Sequence, residues 1–159
     1  RLNQFIQVAQ RNDRLFLKLQ RLILELLPET RLNGLLERLQ RGLQRDFDVH
    51  ETTIILFDRA PGDGDGWLQT SRDQIAEAFP AVVDQGKAVC GALEPALTQL
   101  LFANTEVGSI ALAPLTRDQA VVGVLALGHT SPEHFRSGTE TLFLTHLAQV
   151  TSLQMERTE

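Results

Sequence analysis

The stretch of this 159-residue chain that most narrows its fold is VGSIALAPLTRDQAVVGVLALG, residues 107–128. Two runs of small, β-branched and aliphatic residues flank a short polar segment, Thr116 to Gln119, that carries charges of both signs. Such runs suit strands, and a polar break of this length joins neighbours in an antiparallel hairpin. Gly108, Gly123 and Gly128 stand where bulk is unwelcome. With both arms apolar, the hairpin is expected in the middle of a half-covered sheet. It reads first as core, and the question it raises is whether the sheet also walls a ligand pocket.

The first 27 residues carry a different period. Leu2, Phe5, Ala9, Asn12, Phe16, Leu19, Ile23 and Leu26 alternate in steps of three and four, a heptad seam with one polar member, Asn12. Val8, Leu15 and Leu22 widen the apolar stripe on one flank, and Ile6 and Leu27 on the other. That is broader than a two-stranded coiled coil needs, so a multi-helix bundle is expected. A helix of this length spans about 39 Å, whereas a body of about 130 residues is roughly 36 Å across. Part of the helix should therefore project, and a second copy of the chain is the simplest cover for its stripe.

Pro28 interrupts the helix, and PETRLNGLLERLQRGLQRDF opens another, with Thr30 as expected N-cap and Leu32, Leu35, Leu36, Leu39 and Leu43 on one face. HETTIILF reads as a buried strand, DRAPGDGDGWLQ as a polar turn before Trp67, and SRDQIAEAF as a short helix stopped before Pro80. A short strand around AVCGAL and a short helix near PALTQLLF precede the hairpin. Ser137 and Glu140 form a capping box, so a last helix should start near Gly138. Phe143, Leu147 and Val150 share one of its faces. With the first helix and their copies in a partner, it would complete a four-helix bundle.

Composition narrows the functional classes. No apolar run approaches the ~18 residues that cross a bilayer, because Lys18, Gln20, Arg21 and Glu25 break the longest. No signal peptide pattern opens the chain, and the start at Arg1 rather than Met reads as an excerpt. One cysteine, Cys90, excludes an internal disulfide and suits a reducing compartment, so a cytoplasmic location is expected. Residues 1–45 hold nine Lys/Arg against four Asp/Glu, whereas the remainder holds six against sixteen. An acidic body repels phosphates, so no nucleic acid is expected there.

The segments SIALAPL, VVGVLALG and SGTETLFLTHLAQV, in that order, resemble the C-terminal half of a GAF domain, a small-molecule sensor fold related to PAS. With RNDRLF in the first helix and VCGAL before the hairpin, the whole chain is similar to the bacterial GAF-like family called domain of unknown function 484. The resemblance implies a central antiparallel sheet with helices on both faces and dimerisation through terminal helices, and it brings no known ligand or reaction. The expected class is thus α+β: a GAF-like sheet flanked by helices, with a long N-terminal coiled-coil-like helix. Residues 1–27 would form the dimerisation helix, and 28–159 the GAF-like domain ending in a helix that joins the bundle.

Relatives with known chemistry set further limits. GAF domains that reduce free methionine sulfoxide use several cysteines, and Cys90 stands alone. The Asp-Ile-Pro segment of bilin carriers does not occur, nor does the spaced Asn-Lys-Phe-Asp-Glu set of cyclic-nucleotide binders. In GAF-like folds the variable segment before the hairpin encloses the ligand. That implies a pocket at Phe79, Cys90, Gly91, Leu101, Phe102, Ser109 and Ala111, with Ser109 needing a hydrogen-bond partner within an apolar strand.

Other chemistry finds little footing. Asp63 and Asp65 in DGDG lack the closing carboxylate of a calcium loop and read as an acidic turn. His129, His134 and Cys90 lack the close pairing of zinc ligands, so no metal and no cofactor are expected. No nucleophile elbow, P-loop or dinucleotide motif occurs, and no catalytic residue is assigned. A non-enzymatic sensory module is expected, homodimeric through Phe5, Asn12, Phe16, Leu19, Ile23, Leu26, Leu147 and Val150 and binding a small molecule. Its rival is a degenerate fold kept for dimerisation and protein docking.

Overall fold

Strand β1, Glu51–Leu56, runs through the interior with five of its six residues buried, so neither face meets solvent. The computed structural model describes residues 2–57, 67–68, 70–102, 106–135 and 138–157. Ahead of β1 lie α1 (Leu2–Leu26) and α2 (Leu32–Phe47). After it come β2 (Trp67–Leu68), α3 (Arg72–Ala78), α4 (Pro80–Val83), β3 (Val89–Ala92), a 3-10 turn at Pro95–Leu97, and α5 (Thr98–Leu101). The hairpin is β4 (Ser109–Arg117) and β5 (Ala120–His129), and α6 (Gly138–Glu156) closes the chain. No helix among the described residues is long and apolar enough to cross a membrane.

The sheet order is β2-β1-β5-β4-β3, antiparallel except for the two-residue β2, which runs parallel to β1. The hairpin is central, as its composition requires. Its turn is tighter than expected, however, because pairing continues to Arg117↔Ala120 and leaves only Asp118 and Gln119 to reverse the chain. The sheet is covered on both faces, as the family resemblance implied and the half-covered reading of the hairpin did not. Ile54, Ala111, Ala113, Leu115, Leu125 and Leu127 face α1, α2 and α6. Ile55, Ile110, Leu112, Val124 and Ala126 face α3, α4 and the segment that carries Leu101 and Phe102. Period-two alternation assigns each neighbour to the opposite layer.

The first two helices dry each other. Leu32, Leu35, Leu36, Leu39 and Leu43 of α2 are buried together with Leu19, Leu22 and Leu26 of α1. Thr30 is not the cap of α2. Arg31 occupies that position without a side-chain bond, and Glu29 Oε1 accepts the N–H groups of Thr30 and Arg31 at 3.2 and 3.1 Å. Gly34 makes this possible, since a Cβ there would lie 2.3 Å from Glu29 Cδ. Arg38 locks the corner, donating to Glu29 Oε2 and to the Glu25 carbonyl, both at 2.8 Å. From the other end of the chain, the buried Gln154 amide donates to the carbonyls of Leu27 and Glu29 at 2.9 and 2.8 Å. The Ser137–Glu140 capping box and the Asp63–Gly66 turn lie outside the described residues.

Candidate functional site

The seven residues expected to line a pocket fall on two sides of the sheet. Phe79, Leu101 and Phe102 pack into the layer with α3 and α4. Cys90 and Ala111, paired across β3 and β4, pack toward the long helices, and Gly91 pairs with Ile110 beside them. Phe102 is 1% exposed and lies directly over the sheet, where a Cβ on Gly128 would come within 3.0 Å of its ring. The Ser109 hydroxyl finds its partners in the backbone: it donates to the Ser131 carbonyl at 2.6 Å and accepts from Phe135 N–H at 3.3 Å.

A cleft of about 440 Å³ opens on the helix side instead. Ala111 and Leu127 form its floor, Leu15, Lys18 and Leu19 of α1 one wall, and Phe143, Leu144 and Leu147 of α6 another. The end of α2 and the loop after β5 close it, through Leu43, residues 45–49, His134 and Phe135. Ala111 is the one expected pocket residue it includes. Leu19 and Leu147, expected at a dimer interface, border this cleft and are buried within their own chain, as is Leu26. Ile23 and Val150 are half-buried and Phe16 is exposed, while the side chains of Phe5 and Asn12 lie outside the described residues.

At one edge of the cleft stand four polar residues that sequence reasoning did not group. Asp48 caps α2 in the left-handed region at φ 52°, a backbone state that Asp tolerates. Its carboxylate accepts from His129 Nε2 at 3.2 Å and lies 3.6 Å from His50 Nε2. The rings of His50, His129 and His134 form a stack with successive centroids 3.8 Å apart, and Phe135 meets His134 edge-on at 4.7 Å. The hydrogen bond from His129, foremost, and the charge the three rings carry when protonated hold the Asp48 carboxyl below its ordinary value. His129 and His134 were considered as ligands with Cys90, which is not part of this group. The local signal for the others was the DVH run, residues 48–50, where Asp48 and His50 flank the buried Val49 between α2 and β1.

Asp48, His50 and His129 bring one donor atom each within 4.8 Å of one another, a set that suits a transition metal by chemistry. Their geometry does not. Ring lone pairs lie in the ring plane, and the planes of His50 and His129 differ by only 23°, so the two run side by side instead of converging. Each Nδ1 also accepts a backbone N–H, from Ser131 at 2.9 Å and from Thr130 at 3.3 Å. That leaves the proton of each neutral ring on Nε2, facing the carboxylate. The group works as a polar staple joining α2 to the loop after β5.

Two more charges at the rim, Arg45 and Asp46, pair with each other. Arg45 donates to Asp46 at 2.8 and 3.1 Å and to Glu25 at 2.9 Å. This pairing lowers the Asp46 carboxyl pKa, chiefly through the Arg45 hydrogen bond, and raises that of Arg45.

The family described as "Protein of unknown function, DUF484" matches the chain over residues 1–159. None of the curated proteins matches it. Among solved structures the chain is similar to the GAF domain of an Acinetobacter phosphoenolpyruvate-protein phosphotransferase, at 17% identity and TM-score 0.65, over 87% of this chain and 90% of that one. The GAF domain of the Coxiella burnetii phosphoenolpyruvate-protein phosphotransferase is similar at 12% identity and TM-score 0.66, over 91% and 94%. Free methionine-R-sulfoxide reductase from Neisseria meningitidis, solved with its substrate, is similar at 17% identity and TM-score 0.65, over 88% and 87%. At these identities the likeness is one of fold.

Proposed function

The chain belongs to the DUF484 family and carries a GAF fold, and on that premise we propose that it is a non-enzymatic regulatory module, homodimeric through α1 and α6, that responds to a small molecule. One observation carries this reading. The exposed large hydrophobics among the described residues are Ile6, Phe16, Leu17, Leu24, Leu27, Leu142 and Leu153. They range from 46% exposed at Leu27 to 68% at Leu24, and every one lies on α1, at its end, or on α6. Covering about half of such a side chain is worth on the order of 1 kcal/mol, and an isologous pairing covers each of them twice.

The non-enzymatic part is supported by the Asp48 cluster, whose ring lone pairs on His50 and His129 already accept backbone N–H groups. One observation favours the rival reading of a docking platform without ligand: Leu101 and Phe102 fill the face of the sheet under the variable segment.

Sedimentation equilibrium tests the dimer. The wild type should sediment as a dimer at micromolar concentration, and Leu24→Asp combined with Leu153→Asp should give a monomer with an unchanged circular dichroism spectrum. A monomeric wild type, or a double variant that stays dimeric, overturns it.

A further inference from the structure

We propose that the helix-side cleft binds a small aromatic monoanion, its ring body among Phe47, Phe135 and Phe143 and its charge at Lys18. The proposal rests on reading the chain as a ligand-responsive module and names the site and the chemistry of that response. The volume, about 440 Å³, falls within the range of small-ligand sites, roughly 300–1,000 Å³. The lining is chiefly apolar with few polar groups, and three of its residues are phenylalanines.

The charge of the ligand follows from which rim groups are engaged. Arg45 and Asp46 satisfy each other at 2.8 Å, and Asp48 accepts from His129 at 3.2 Å. Lys18 is the charged lining side chain with no ion pair among the described residues; its exposed ammonium acts on Asp46 through its charge alone. A cation held in no ion pair above an aromatic cleft suits a ligand with one negative charge and a flat apolar body. The cleft also lies where a ligand could act on the proposed dimer. Lys18 and Leu19 share α1 with Phe16 and Leu17, and Leu144 and Leu147 share α6 with Leu142 and Leu153. A molecule wedged between these helices shifts the ridges that a second copy would cover.

The test uses 1-naphthoate and its neutral isostere 1-naphthamide, titrated into the intact protein and followed by amide NMR shifts. Naphthoate should bind saturably with shifts at Ala111, Leu127, Phe135 and Leu147, about fivefold tighter than naphthamide. Lys18→Gln should lower naphthoate affinity to that of the amide, and Lys87→Gln, at an exposed lysine elsewhere, should change neither. The proposal is overturned by absence of saturable binding, by equal wild-type affinities, by a Lys18→Gln variant that binds naphthoate as before, or by shifts centred on Leu101, Phe102 and Ile110. Sedimentation of the same samples separates the two readings. A dimer that ignores naphthoate sinks this site alone, and a monomer that binds it sinks the dimer alone.

Discussion

Asp48 combines two roles that substitution separates. It holds a left-handed backbone at φ 52°, and its carboxylate takes the His129 proton donor. Asn keeps the first role, because its short polar side chain also suits that conformation, and its amide oxygen can still accept from the ring. Asp48→Asn should therefore cost under about 0.5 kcal/mol, and Asp48→Ala, which loses both, about 1–2 kcal/mol. Urea titration of the two variants checks the ordering, and equal costs would mean that the backbone conformation matters little. Both roles were hidden in the sequence. Aspartate is an ordinary cap at the start of a helix rather than at its end, and the imidazole partner of Asp48 lies 81 positions downstream.

At the scale of elements, the β4–β5 turn is the most direct case of geometry set against residue choice. Asp118 and Gln119 both have positive φ, 51° and 69°. A two-residue turn between twisted strands needs that backbone, and its favoured second residue is glycine. Gln119→Gly should relieve strain at an exposed position and raise stability by roughly 0.5–1 kcal/mol, read as a higher urea midpoint with an unchanged slope. A fall in the midpoint would show that the glutamine is held by something other than the turn. The hairpin was legible because two apolar arms can pair only in the interior. The turn was blurred because Thr116 and Arg117 are polar yet remain paired with β5. The α1–α2 corner misled for a related reason. Thr30 has the composition of a cap, but Glu29 reaches the free amides first because Gly34 leaves room for it.

At the scale of the whole molecule, three carboxylates among the described residues share one direction of titration. Glu29 is lowered foremost by the Arg31 N–H and then by Arg38, Asp46 by Arg45, and Asp48 by His129. Each ionises more readily folded than unfolded, so the stability it contributes is complete above its ordinary value, 4.5 for Glu29 and 3.8 for the two aspartates. That contribution is lost as pH falls below those values and through the lower folded ones. The thermal midpoint should drop on acidification across this window, and the slope should be shallower in a Glu29→Gln, Asp46→Asn, Asp48→Asn triple variant. Glu29 and Asp46, with side chains 15% and 9% exposed, should account for most of the difference, since solvent screens Asp48 at 74%. A triple variant with the wild-type slope would remove these pairs from the acid response.

By itself the sequence determined what periodicity can encode: the apolar face of α2 from Leu32 to Leu43, the central hairpin, the two long terminal helices and the acidic body beneath a basic first helix. Only the tertiary structure decided how those faces divide. Strand alternation sends Ala111 to one layer and Ile110 to the other, so neighbours along one strand face different sides of the sheet. Packing of α1 on α2 and α6 buries Leu19 and Leu26 and leaves Leu17 and Leu24 exposed. The stack of His50, His129 and His134 forms because pairing of β1 with β5 brings distant segments together, and no local pattern records which segments will meet.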